Sequence, residues 1–355
     1  METSLTRRPA VPGFMALLAS VVFLLGCGME NGNLSSEPAF DMAADVVGRD
    51  AFAWSEPVWL GPVVNSPGRD WRPVLSTDGR RLYFHSNRDG GLGGFDIWVS
   101  RRAGTNCPWE TPVNLGPPLN TTRDDGDPAF APDGRVVFFS SDEGHGGAGR
   151  GDIFISHRAD PDDDFAWEQP VNLGPDVNTA AHESNPWYVP NEAGGTLYFV
   201  RSPGGVPANS DIYNVRVTLE GRTGGPAVLV AELSEPAPIG DQAMTVRADG
   251  RELIFWSGGA VGTRPGSVGL ADLWVSTRRS VNDAWSAPRN LGRPVNSEFA
   301  DLSATLSHDG RTLFVTSLRP GGLGLNDMWM STRGPSVDDD NENGDDRRRC
   351  GDNQP

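Results

Sequence analysis

Short runs of apolar side chains, broken by polar ones and by turns, pattern the chain from about residue 53 onward. Arg81-Leu82-Tyr83-Phe84-His85-Ser86, Val136-Val137-Phe138-Phe139-Ser140 and Thr312-Leu313-Phe314-Val315-Thr316 are rich in β-branched and aromatic residues. Such runs predict strands rather than helices. Asp-Gly precedes them at Asp78-Gly79, Asp133-Gly134 and Asp309-Gly310, and recurs at Asp249-Gly250. Glycine there supplies the positive φ of a tight turn. No segment after residue 30 carries convincing helical periodicity.

The pattern is periodic on a larger scale. Five strand-like runs open with aspartate, at Asp96, Asp152, Asp211, Asp272 and Asp327, spaced 56, 59, 61 and 55 residues apart. A fixed period of this size signals an array of like units. Each unit reads as a first strand, an Asp-Gly turn, an apolar second strand, a glycine-rich loop, the Asp-opened third strand, and a fourth of the type Trp109-Glu110-Thr111-Pro112-Val113-Asn114-Leu115-Gly116. Four-stranded antiparallel units repeated radially make a propeller. A strand of the fourth type, Trp54 to Gly61, stands before the first full unit, and the last unit lacks one. The expectation is an all-β fold: a β-propeller of five four-stranded blades, its ring closed by the N-terminal strand so that neither end leaves an open edge.

These units resemble the WD-like propeller repeats of the TolB family: a proline-containing strand, a Ser-x-Asp-Gly turn, an apolar strand, a Ser-x-Arg, a glycine loop, and an Asp-Ile-Trp or Asp-Ile-Tyr strand. The resemblance covers about residues 53 to 333. It implies a fold rather than an activity. The chain lacks the separate N-terminal α/β domain of TolB and shows five units where TolB has six, so membership of a Tol system is not implied.

Residues 1–26 read as a lipoprotein signal peptide. Arg7 and Arg8 form a basic start, Phe14 to Leu25 an apolar run too short to span a bilayer comfortably, and Gly26 precedes Cys27. Cys27 is the expected lipidation site, with residues 27–52 a polar tether, 53–337 the propeller and 338–355 an acidic tail. The expected location is the cell envelope, lipid-anchored, facing the periplasm from the outer membrane. Cys107 and Cys350 are an even pair in an exported chain and suggest a disulfide. Part of the tail, Asp339 to Asp345, resembles a calcium loop, but the loop's final glutamate is absent; no metal and no cofactor are expected.

The net charge is −17, of which −10 falls on the propeller, and every basic residue is arginine. Nucleic acid is a poor partner for such a body, and the membrane is expected to be met only through the lipid anchor. The lack of lysine excludes a lysine base, a Schiff base and a phosphate-loop lysine.

Loops between units carry acids at Asp70, Asp127, Glu183 and Asp301. They share a face with Arg88 and Arg319, so these six residues are the ligand-binding candidates. The competing reading is that the acids bond local amides and stabilise the loops. His182, beside Glu183, breaks the repeat and is a weak metal or acid–base signal. No catalytic motif is present. The main expectation is therefore a monomeric, non-catalytic scaffold that binds an envelope protein or cell-wall glycan. The alternative is a carbohydrate-active enzyme, a glycoside hydrolase or polysaccharide lyase, with carboxylates from different blades at the channel mouth. Symmetry separates the two: a scaffold should show matched acids in loops, an enzyme unmatched acids facing the channel.

Overall fold

The computed structural model describes residues 53–192, 194–205, 209–259, 262–334 and 350. Cys27, with the whole signal and tether, and most of the acidic tail lie outside the described residues.

Twenty strands form five four-stranded antiparallel sheets. Blade one consists of Asp70–Leu75, Arg81–Ser86, Asp96–Arg101 and Val113–Asn114; blade two of Asp125–Phe130, Val136–Ser141, Asp152–His157 and Val171–Asn172. Blade three consists of His182–Asn191, Gly194–Ser202, Asp211–Val217 and Val228–Leu229; blade four of Asp241–Val246, Glu252–Gly258, Ala271–Thr277 and Arg289–Asn290. Asp301–Leu306, Thr312–Ser317 and Asp327–Thr332 make three strands of blade five, and Val58–Trp59 supplies the fourth.

The ring closes through that N-terminal strand. Val58 pairs with Met330 and Trp59 with Trp329. The Ser55 amide donates to Thr332 O at 2.8 Å and the Leu60 amide to Met328 O at 3.1 Å. A repeated side-chain clamp reinforces it. Asn120, Asn178 and Asn296 each bond the amide and carbonyl of a third-strand residue, namely Ile97, Ile153 and Leu273. Asn65 does the same to Met328, at 2.7 and 3.1 Å, across 263 residues of sequence. Cys107 and Cys350 are joined by a disulfide, with their Cα atoms 5.5 Å apart.

The core lies between blades. Phe138, Tyr188, Leu197 and Phe199 bury together where blades two and three meet, and Phe84, Phe314 and Met328 where blade five meets blade one. The Asp-Gly turns behave as their sequence requires: Gly79, Gly134, Gly250 and Gly310 all have φ near +70°.

One irregularity positions the site. Every first strand is bulged, with its register shifting between Trp71 and Val74, Gly126 and Ala129, Ser184 and Trp187, Gln242 and Thr245, and Leu302 and Ala304. In three blades the bulge holds proline, at Pro73, Pro128 and Pro186, which has no amide hydrogen to give the ladder. The residue before it takes a left-handed backbone: Arg72 at φ 51°, Asp127 at 54° and Asn185 at 55°, with Ala243 at 37° in blade four. A bulge re-aims its side chain. Here it turns one residue of each first strand toward the axis of the ring.

Candidate functional site

The conspicuous acids of the loop face are structural. Asp70, Asp125, Asp241 and Asp301 open four of the first strands and Glu183 stands second in that of blade three, and all five are 0% exposed. Asp70 accepts from the Ser66 amide at 2.6 Å, Asp125 from that of Thr121 at 2.6 Å, Glu183 from that of Thr179 at 3.0 Å and Asp301 from that of Ser297 at 2.5 Å. Four pair with an arginine: Asp70 with Arg88 and Asp301 with Arg319, both at 2.5 Å, Glu183 with Arg201 at 2.7 Å and Asp241 with Arg264 at 2.8 Å. In blade two His145 replaces the arginine, 3.6 Å from Asp125. The guanidiniums lie over rings of the blade, such as Arg88 at 4.7 Å from Phe84 and Arg201 at 4.5 Å from Tyr213. Of the six sequence candidates, Asp70, Arg88, Glu183, Asp301 and Arg319 thus sit in repeated pins that hold loops to blades.

The sixth, Asp127, stands elsewhere. Asp125, not Asp127, is the counterpart of Asp70. Asp127 occupies the bulge position and faces the channel, where other blades place Arg72, Asn185, Ala243 and Ser303. Its carboxylate accepts from Ser140 Oγ at 2.8 Å and from the Asn185 amide at 3.1 Å. The Asp127 amide donates to His85 Nδ1 at 3.0 Å. That nitrogen is therefore the acceptor, and the imidazole carries its hydrogen on Nε2. Burial lowers the pKa of His85, which favours this neutral form. Burial opposes ionisation of Asp127, but His85, Arg72, Ser140 and the Asn185 amide together outweigh it and hold the pKa below the usual carboxylate value.

Arg72 crosses the channel. Entirely buried, it donates from Nη1 to Asn185 Oδ1 at 3.1 Å and from Nη2 to Pro186 O at 2.7 Å and Met244 O at 3.4 Å. Blade one is thereby tied to blades three and four. Burial lowers its pKa to about 10, with Asp127 opposing the fall; it stays a cation at neutral pH.

Two further acids flank Asp127 at the top of blade two. Asp124 precedes the first strand and Asp142 follows the second, and the Asp142 amide donates to Asp124 O at 2.9 Å. No other blade has acids at these two places, which hold Arg69 and Asn87, His182 and Ser202, Gly240 and Gly258, and Ala300 and Leu318. His182 Nδ1 comes within 3.6 Å of Asp142 Oδ1. Burial raises the Asp142 pKa to about 6; His182 works against the rise, and Asp124, Asp127 and Glu143 add to it. With its side chain 42% exposed, Asp142 can still meet a ligand. Sequence reasoning misses Asp124, Asp142, His85 and Arg72; of the residues around this mouth outside the six candidates, it marks His182 alone.

A cavity of about 270 Å³ opens at the other mouth of the ring, against Phe130, Trp187, Asp78 and Asp133. Those two carboxylates accept from the amides of their own turns, Arg80 and Arg135, each at 3.0 Å. Asp162 also lines it and accepts from Arg81 Nη2 at 2.9 Å. No group of acids, histidines and cysteines among the described residues is arranged to hold a metal ion.

No protein-family model matches the chain, and no curated protein matches it. Solved structures do. One, a BT0996 RGII complex, aligns with TM-score 0.58 and 12% identity over 83% of this protein and 96% of its own length. Another, named simply as a glycoside hydrolase, aligns with TM-score 0.56 and 11% identity over 84% and 96%. A thermostable family-43 glycoside hydrolase aligns with TM-score 0.51 and 14% identity over 78% and 91%. At such identities the likeness is one of fold. A putative TolB from Agrobacterium tumefaciens aligns with TM-score 0.43 and 16% identity over 71% of each chain.

The expected non-catalytic scaffold is corrected by these findings. That expectation rested on acids matched from blade to blade. The channel mouth instead carries Asp124, Asp127 and Asp142, unmatched in other blades, and the solved structures of like fold are mostly glycoside hydrolases.

Proposed function

We propose that the blade-two mouth is the acid–base site of a carbohydrate-active enzyme that cleaves glycosidic bonds. The observation that carries this reading is the pair Asp142 and Asp127, two unmatched carboxylates at one channel mouth whose ionisation is pushed in opposite directions. Pairs of this kind divide into an acid and a base. Asp142, protonated up to about pH 6, donates a proton to the leaving glycosidic oxygen. Asp127 remains a carboxylate, fixed by Ser140 and the Asn185 amide, and acts either on the sugar or on the attacking water. Arg72 favours the ionised form of Asp127, and His85 accepts the Asp127 backbone amide. The fold shared with glycoside hydrolases supports the reading.

Export through the N-terminal segment and acylation at Cys27 would put this mouth within reach of envelope or external polysaccharides. The test is release of reducing ends from a polysaccharide panel by the wild type, Asp142→Asn and Asp127→Asn. The reading expects activity in the wild type and a loss of at least about a hundredfold in each variant. Full activity in both variants would overturn it.

A further inference from the structure

The cavity at the mouth opposite the blade-two acids has a chemistry of its own. All five first strands, with the turns that follow them, line its volume of about 270 Å³. At one register place of those strands blades one, four and five carry Leu75, Val246 and Leu306, while blades two and three carry Phe130 and Tyr188. One residue earlier blade three carries Trp187, where the others have Val74, Ala129, Thr245 and Thr305. Smaller side chains thus satisfy the fold at these places, and the rings of blades two and three are surplus to it. Phe130 and Trp187 are only partly buried. Elsewhere the protein lays its own guanidiniums over indoles: Arg278 lies 4.2 Å from the Trp285 ring, Arg102 4.3 Å from that of Trp109, and Arg158 4.5 Å from that of Trp167. Among the described residues no arginine covers Trp187 in this way.

The hydroxyl and indole hydrogens of the wall are already spent. Ser76 donates to Asp78 and Ser307 to Asp309, both at 2.5 Å, Thr77 to Pro132 O at 2.8 Å, Tyr83 to Asp164 at 2.5 Å and Tyr188 to Gly194 O at 2.6 Å. Trp187 Nε1 donates to Val246 O at 2.9 Å, which fixes the ring. The two arginines of the wall face Asp164, which is 0% exposed: Arg158 at 2.9 Å and Arg81 at 3.2 Å. Spare capacity lies with the carboxylates. Asp133 Oδ1 accepts from the Arg135 amide and Asp162 Oδ1 from Arg81, but among the described residues nothing donates to Oδ2 of either. His308 is exposed and can donate or accept. A neutral sugar would bring lone pairs for which His308 is the one neutral side chain with a hydrogen to give. A guest that brings hydrogens and positive charge meets flat rings and open carboxylate oxygens instead. The cavity is also smaller than the ~300–1,000 Å³ of sites that enclose a whole drug-sized ligand, so it fits one compact group. A guanidinium is planar, weakly hydrated and stacks on aromatic faces while its N–H groups bond carboxylates.

We propose that this cavity binds a guanidinium group, with Trp187 and Phe130 as its stacking faces and Asp133 and Asp162 as its acceptors. The site stands whether or not the blade-two mouth cleaves glycans. The full chain is titrated calorimetrically with N-acetyl-arginine amide, with its lysine and citrulline counterparts, and with D-galactose. The arginine compound should bind about tenfold or more tighter than the citrulline one, which keeps the shape and loses the charge, and than galactose. The lysine compound should bind several-fold more weakly than the arginine one, because an ammonium cannot stack as a plane. Asp133→Asn keeps an oxygen for the Arg135 amide and removes the charge; it should weaken arginine binding about tenfold, the usual effect of losing a charged hydrogen bond. Trp187→Thr, which installs the residue of blades four and five, should weaken it several-fold; Phe130→Leu serves if melting shows that variant to be unfolded. No measurable binding of the arginine compound at millimolar concentration, citrulline, lysine or galactose bound as tightly as arginine, or folded variants that bind like the wild type would each overturn the proposal. A capped Gly-Gly-Arg-Gly-Gly peptide separates the sources of the group. Tighter binding of the peptide than of the arginine amide assigns the site to an arginine side chain of a polypeptide, and equal binding assigns it to a small guanidino compound; either result upholds the guanidinium site.

Discussion

Replacing Arg72 by methionine tests whether a buried cation ties the ring across its axis. The fall in the Arg72 pKa from 12.5 to about 10 corresponds to ~3 kcal/mol for holding the charge away from water. Methionine removes that cost and fills a similar length. It also strands Pro186 O, Asn185 Oδ1 and Met244 O, which now receive the guanidinium hydrogens, and leaves Asp127 without its cation. Each unpaired buried group costs ~1–3 kcal/mol, and breaking a buried charge pair from one side typically costs ~3–5 kcal/mol net. The variant should therefore lose about 3–5 kcal/mol. At roughly 2–4 °C per kcal/mol for a body of this size, Tm should fall by about 6–20 °C. Chemical denaturation and calorimetry of the soluble propeller measure both. Adding Asp127→Asn should cost much less in the Arg72→Met background than in the wild type, because the charge left behind is then removed. A melting point within about 2 °C of wild type, or strictly additive losses, would refute the argument.

Other expectations follow from the same geometry. Glycan cleavage should decline as pH rises through about 6, where Asp142 loses its proton, and should persist on the acid side down to below the usual carboxylate range, where Asp127 is still ionised; a rate that climbs from pH 6 to 8 would reject Asp142 as the acid. Deleting residues 53–61 removes the pairing of Val58 and Trp59 with blade five together with its aromatic burial, and should cost several kcal/mol, read as a drop in denaturation midpoint; unchanged melting would sink ring closure. Arg88→Met should destabilise the fold by about 3–5 kcal/mol through the stranded Asp70, while sugar binding per folded molecule stays unchanged in titration. Cys27→Ser should move the protein from the membrane fraction to the soluble one, and equal membrane retention with the signal removed would exclude acylation.

The architecture is legible because the repeat writes it five times. Strand composition, Asp-Gly turns and the fourth-type strand at the front each follow from local chemistry, and the ring needs nothing else. The site is legible only in part, and the reason is one of register. Asp125-Gly126-Asp127 offers two acids for one structural slot, and matching Asp127 to Asp70 is wrong by two residues. The spacing that resolves it is present in the sequence: an Asn followed by Ser or Thr, then an acid four residues after the hydroxyl, as in Asn65-Ser66 with Asp70, Asn120-Thr121 with Asp125, Asn178-Thr179 with Glu183 and Asn296-Ser297 with Asp301. Those hydroxyl residues donate to the acids, which is why the spacing is kept. Arg72 cannot be found this way. The bulge leaves a proline after it in three blades, but nothing in a linear reading says that blade one reaches blades three and four.

Once the register is set, the distribution of chemistry follows a physical rule. The repeated acids are those whose lone pairs are engaged by loop amides, by a serine or threonine hydroxyl, and by an arginine or histidine of the same blade. They cannot titrate with a ligand without releasing a loop, so they hold the same place in every blade. Asp124, Asp127 and Asp142 occupy positions that the other blades fill with arginine, asparagine, histidine, serine, alanine, glycine or leucine, so the fold does not require an acid there. Asp142 nonetheless keeps a carboxyl group partly buried at a cost to its ionisation, and Asp127 keeps one facing a channel crossed by Arg72. Acids at positions that the scaffold does not need, with the ionisation of Asp127 and Asp142 displaced in opposite senses, are what the proposed proton transfer would use.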